Sequence, residues 1–234
     1  MSQHRLLILL LVLIGARGFA QSADGLLLHY ACDEGQGAVA ADSSTNKLDG
    51  AVSTAWAASP SGQALSFDGQ PAGVVRVELP VEKRLGKDSW SFSVWLKPTQ
   101  FTIDDPQNQR RLFACGTYPD AYLVIDLMSA GQPSFYFCYK NEAGATVSAG
   151  GTAATGLAPN QWAQVALVCD RAKGQVEFYL NGYSQGSTTL PAGFAGDFSV
   201  AGELTLGNGW HNYWGLMDEV RIESGARSAE WLRA

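Results

Sequence analysis

The chain has 234 residues, with 16 lysines and arginines against 22 aspartates and glutamates, a formal net charge of −6. That balance points away from nucleic acid and from an anionic membrane surface as partners. The length suits one large β-sandwich as well as two small domains, and no Pro/Ser/Gly-rich linker or charge run divides it.

The first element is Met1-Ser2-Gln3-His4-Arg5 followed by an unbroken apolar run from Leu6 to Ile14 and a small-residue exit at Gly18 and Ala20. A basic start, a short apolar centre and small residues at −3 and −1 predict a secretory signal over residues 1–20. The run is about half of what spans a bilayer, so membrane insertion of the mature chain is not expected. Cleavage after Ala20 removes Arg5 and Arg17 and no acid, leaves a more acidic product, residues 21–234, and implies a secreted or periplasmic location.

From there on the chain reads as strand after strand. Apolar, β-branched and aromatic residues recur with period 2 between turn residues, and no segment before the last turn keeps a 3.6-residue stripe. In Ser91 to Lys97, Phe92, Val94 and Leu96 share one face, and Pro98 ends the run because it has no N–H for the ladder. Tyr122–Leu127 and Ser134–Tyr139 flank Ser129 to Gln132, a hairpin signal. Trp162–Cys169 and Gln175–Leu180 flank a second turn at Asp170 to Gly174. Asn181-Gly182 suits a type I′ turn into a strand near Tyr183 to Thr189, since both residues tolerate positive φ. Leu204 to Gly207 and Leu216 to Ile222 read as closing strands, and Ser228 as the cap of one helical turn. Many short strands with regular turns predict an all-β sandwich or barrel.

Cys32, Cys115, Cys138 and Cys169 are even in number, so zero, one or two disulfides are open. Each lies in an apolar stretch where a free thiol also packs as a small hydrophobe, and none has the spacing of a zinc site.

Six blocks in order resemble the laminin G-like jelly-roll domains of the concanavalin A-like lectin/glucanase superfamily, of the kind found in secreted bacterial proteins. They are Leu28 to Gly35, Ala41 to Gly50, Gly62 to Gly69, Phe92 to Pro98, Trp162 to Val168 with Gln175 to Gly182, and Gly215 to Ile222. The resemblance implies a two-sheet antiparallel jelly-roll sandwich over residues 21–234, with Trp95, Trp162 and Trp214 in the core. It says less about function, because the fold hosts lectins, adhesion modules and hydrolases. The resemblance also implies a structural Ca²⁺ held by Asp33 and Asp218, on the first and last strands, with Asp68.

Hydrolases of this superfamily carry Glu-x-Asp-x-x-Glu on one strand, supplying the two carboxyls that retaining glycoside hydrolysis needs. The nearest stretch here, Val124 to Ser129, has Val124 and Ser129 at the glutamate positions, which leaves Asp126 as a lone strand-end or turn carboxylate. No G-x-S-x-G elbow is present, and His29 and His211 stand alone past the leader, so an enzyme is not expected. The most suggestive binding stretch is Trp210, His211, Asn212 and Tyr213, because aromatic faces stack on sugar rings while Asn and His bond hydroxyls. The expectation is a secreted, non-catalytic carbohydrate-binding or adhesion module whose partner is a glycan or an extracellular protein. The alternatives are a protein-interaction or structural domain without a glycan, and then a degenerate glycoside hydrolase.

Overall fold

The structure is a computed structural model and describes residues 25–101, 109–199, 201–208 and 211–233. The expected leader and Trp210 lie outside the described residues. In chain order the strands are β1 (Leu26–Tyr30), β2 (Val39–Ala40), β3 (Gly50–Val52), β4 (Ala55–Ser59), β5 (Gly62–Asp68), β6 (Val75–Glu78), β7 (Trp90–Pro98) and β8 (Gln109–Thr117). They continue as β9 (Ala121–Met128), β10 (Pro133–Lys140), β11 (Thr146–Thr152), β12 (Ala163–Asp170), β13 (Gln175–Leu180), β14 (Tyr183–Thr189), β15 (Glu203–Leu206) and β16 (Trp214–Ser224), and a helical turn α1 (Ala229–Arg233) follows.

The strands form two antiparallel sheets. One runs β14-β13-β12-β7-β16-β5-β4 with β1 also on β16, and the other runs β11-β10-β9-β8-β15-β6-β3-β2. Period-2 side chains decide which face each sheet buries. Phe92, Val94 and Leu96 of β7 are buried, as are Leu123, Ile125 and Leu127 of β9 and Phe135 and Phe137 of β10, all in one continuous core between the sheets. Aromatic rings knit that core: Phe92 lies 5.3 Å from Phe113 and Trp90 5.8 Å from Phe137. A second, small cluster of Ala166, Val168, Tyr179 and Leu232 seats α1 on the outer face of the first sheet.

Turn chemistry fixes the register. Asn181 (φ 51°) and Gly182 (φ 75°) both take left-handed backbone between β13 and β14, the conformation a type I′ turn demands. In β16 the bulge between Asp218 and Arg221 puts Glu219 at φ 50° and divides the strand: its first half pairs with β5, its second with β1, and β7 accompanies both. Ser228 Oγ accepts from the Trp231 amide at 3.3 Å, the expected cap of α1.

Two expected core tryptophans are not in the core. Trp95 is 39% exposed and Trp214 40%, because their strand neighbours Val94, Leu96 and Gly215 take the inward positions and the pleat turns both indoles outward. The four cysteines are free, buried thiols. Burial pushes the Cys115 thiol up to about 12 and the Cys169 thiol up to about 11.

Candidate functional site

The outer face of the second sheet carries a groove of about 860 Å³ over β8 to β11. Its layout follows from strand register. Arg111 pairs with Asp126, Asp126 with Ser134, and Ser134 with Thr152, so one row of polar side chains crosses four strands. The next row on the same face holds Ala114, Val124, Tyr136 and Gly150, and the row after it Gly116, Tyr122, Cys138 and Ser148. Beyond that row Tyr118 is 61% exposed, and its ring meets Tyr122 edge-on at 6.2 Å and 83°. The backbones of Tyr122 and Asp126 are four residues, about 13 Å, apart along β9, and the Tyr122 side chain spans that interval to reach Arg111 of the polar row.

An ion pair holds the polar end in place. Arg111 Nε donates to Asp126 Oδ1 at 2.5 Å, its Nη2 lies 3.4 Å from Asp126 Oδ2, and its Nη1 donates to the Tyr122 hydroxyl at 2.6 Å. Both side chains are nearly inaccessible, at 6% and 5%. Burial would pull the Arg111 guanidinium down, but the carboxylate and the Tyr122 hydroxyl hold it above its ordinary value. Burial also pushes the Asp126 carboxyl up, against the pull of Arg111 and His211. The short two-point contact commits each group to the other.

Asp126 is therefore not the strand-end carboxylate expected from the sequence: it sits in mid-strand, buried, committed to an arginine. Its same-face neighbours on β9 are Val124 and Met128, and among the described residues lining the groove it is the one carboxylate. Among the described lining residues, two-carboxyl glycoside hydrolysis finds no second group.

The described residues of the expected binding loop, His211 to Tyr213, are mostly buried. Tyr213 is fully buried, its ring 5.8 Å from Phe67 and its hydroxyl donating to the Leu216 carbonyl at 3.1 Å. Its ring presents no face to a ligand, which corrects the expectation for this residue. His211 is 6% exposed, and its carbonyl accepts the Arg111 amide at 2.7 Å. Asn212 donates to the Gly69 carbonyl at 3.1 Å, while its own carbonyl accepts from Arg110 Nη1 at 3.1 Å. These residues run beside β8, next to the polar end of the groove.

Of the three residues expected to hold calcium, Asp33 and Asp218 lie near one end of β5 and Asp68 at the other. Asp33 accepts the Gln63 amide at 3.2 Å beside Gly62, where a Cβ would stand 2.1 Å from the carboxylate oxygen, so only glycine admits this approach. Asp218 is nearby, accepting from Ser61 Oγ at 3.2 Å and from the Glu219 amide at 2.9 Å, and burial pushes its carboxyl above the ordinary range. Asp68 caps the opposite end of β5, about 20 Å away along the strand, and accepts the Gln70 amide at 3.0 Å. Six to eight oxygens cannot be gathered around one ion from this trio, and no cluster of three or more metal-ligating side chains occurs among the described residues. The Asp42 to Gly50 stretch is turn chemistry: the Asp42 carboxylate accepts the amides of His29, Ser44 and Leu48 and the Ser44 hydroxyl.

A two-sheet antiparallel jelly roll with an open, polar-to-aromatic groove on one face is the architecture of a lectin-type sandwich. The chain belongs to the concanavalin A-like lectin/glucanases superfamily, whose family model matches residues 71–233. Comparison with curated proteins gives no match. Among solved structures, domain 4 of AbnA, a GH43 extracellular arabinanase from Geobacillus stearothermophilus in complex with arabinotriose, is similar at TM-score 0.68 and 23% identity, over 89% of this chain and 97% of that one. The binding domain of Paraclostridial Mosquitocidal Protein 1 is similar at TM-score 0.69 and 13% identity, over 90% of this chain and 51% of that one. The ligand binding domain of botulinum neurotoxin serotype D, solved with N-acetylneuraminic acid, is similar at TM-score 0.63 and 15% identity, over 90% of this chain and 50% of that one. At these identities the likeness is one of fold, and the chain spans about half the length of the toxin domains.

Proposed function

We propose that this protein is an exported, non-catalytic carbohydrate-binding module and that the groove over β8 to β11 is where the glycan lies. The observation that carries the reading is the groove's layout: the exposed Tyr118 ring and the half-buried Tyr122 ring beside a row of fixed hydrogen-bonding side chains, on one sheet face. Tyr118 and Tyr122 give a sugar ring an apolar surface to stack on, and Arg111, Asp126 and Ser134 give its hydroxyls donors and acceptors already held in position. The similar domain solved with arabinotriose supports an oligosaccharide as ligand. Export rests on residues 1–20 and is checked by sequencing the N-terminus of the secreted product, which should begin at Gln21.

The deciding experiment is an oligosaccharide array with wild type and Tyr118→Ala. Tyr118 is exposed, so its removal leaves no cavity, and the variant should keep its melting temperature while losing glycan affinity. Unchanged affinity in a stably folded Tyr118→Ala would place the ligand elsewhere.

A further inference from the structure

We infer that the groove selects uncharged sugars and rejects sugars bearing carboxylates. This rests on the reading of the groove as a glycan site and goes further by naming the class of glycan.

The argument starts from the charge of the groove floor. Arg111 is the cation among the described lining residues and Asp126 the anion, and each is already spent on the other at 2.5 Å in a site where both are nearly inaccessible. The floor is therefore neutral in sum but dipolar. A ligand carboxylate brought to Arg111 would also meet Asp126, and would give up its hydration for a guanidinium whose charge is cancelled. Along the rest of β9 it would face Val124 and Met128, which offer it nothing. A ligand ammonium meets the mirror-image difficulty at Arg111. Hydroxyls have neither problem. One can donate to Asp126 while its neighbour accepts from Arg111 or Ser134, because a neutral group that is both donor and acceptor fits a dipolar floor without an uncompensated charge.

The aromatic corner is not remote from this floor: the Tyr122 hydroxyl accepts from Arg111 Nη1 at 2.6 Å and its ring centroid lies 5.8 Å from the guanidinium carbon, so a sugar ring against Tyr122 lies beside the dipole. The acidic balance of the chain adds long-range repulsion of polyanions to this local selection.

The test is the wild-type protein on an array of matched neutral and uronate- or sialate-bearing oligosaccharides, together with Asp126→Asn and Met128→Lys. Wild type should bind neutral members only. Asp126→Asn leaves Arg111 without its counter-charge, and Met128→Lys adds a cation at a half-exposed position on the same face of β9. Each should gain about tenfold or more on acidic members, the equivalent of about 1.4 kcal/mol. The second variant keeps the test open if the first does not fold. Acidic oligosaccharides bound by wild type as tightly as neutral ones, or no gain in a folded variant, would overturn the inference while leaving the groove as a glycan site. Failure of wild type to bind any oligosaccharide would overturn the glycan reading itself.

Discussion

Replacing Tyr213 with alanine distinguishes a binding loop from a buttress. The ring is fully buried against Phe67, and its hydroxyl donates to the Leu216 carbonyl. Burying an aromatic side chain removes about 150–250 Å² from water, which at about 25 cal/mol per Å² gives roughly 4–6 kcal/mol as an upper bound. Measured aromatic-to-alanine changes in cores cost about 3–5 kcal/mol. In a domain of this size each kcal/mol moves the melting temperature by about 2–4 °C, so Tyr213→Ala should melt roughly 6–20 °C below wild type. Tyr213→Phe keeps the ring and removes one hydrogen bond, for a loss of about 1 kcal/mol, or about 2–4 °C. Thermal unfolding followed by circular dichroism, run beside an oligosaccharide titration, reads both properties. The reasoning is refuted if Tyr213→Ala loses less than about 1 kcal/mol of stability yet abolishes binding, for the ring would then be ligand surface.

Three more outcomes are expected. Adding EDTA should leave the melting curve unchanged, since Asp33, Asp68 and Asp218 do not share a site; a fall in melting temperature reversed by calcium would show an ion held by other oxygens. Ellman's reagent should find no reactive thiol in the native protein and four after denaturation, and a lower count on unfolding would reveal a disulfide. Burial pushes the Asp42 carboxyl up, but the Ser44 hydroxyl and the His29, Leu48 and Ser44 amides outweigh it and hold it below the ordinary aspartate value. Its contribution to stability is therefore full above the unfolded-state value of about 3.9 and lost as pH falls through the lower folded one. Urea midpoints taken from pH 6 down to pH 3 should drop more steeply for wild type than for Asp42→Asn, and parallel curves would remove Asp42 from that role.

What the sequence disclosed, it disclosed through local chemistry. The β13–β14 turn was legible because Asn181-Gly182 names its own backbone conformation, and β7 because three alternate apolar residues end at a proline. Edge strand β11 was not, since Thr146–Thr152 carries no apolar alternation and gains its pairing only from β10. The groove was hidden for a different reason. Tyr122, Val124, Asp126 and Met128 could be read as one face of a strand, but that Asp126 stands opposite Arg111 depends on a register between β8 and β9 that neither segment states alone, with a bulge between Arg111 and Phe113 to shift it. The loop at His211 to Tyr213 drew attention through its composition, and composition does not say whether an aromatic faces out or in.

The divided strand β16 also sets a timetable for folding. The last strand of the chain lies between β7 on one side and β5 and β1 on the other, so the first sheet cannot close until residues 214–224 are available. A nascent or translocating chain that lacks them holds β1, β5 and β7 as open edges that no earlier segment can cover, and such contacts between distant parts of the sequence form slowly. Chains shortened before Trp214 should accumulate as aggregates rather than as smaller folded domains.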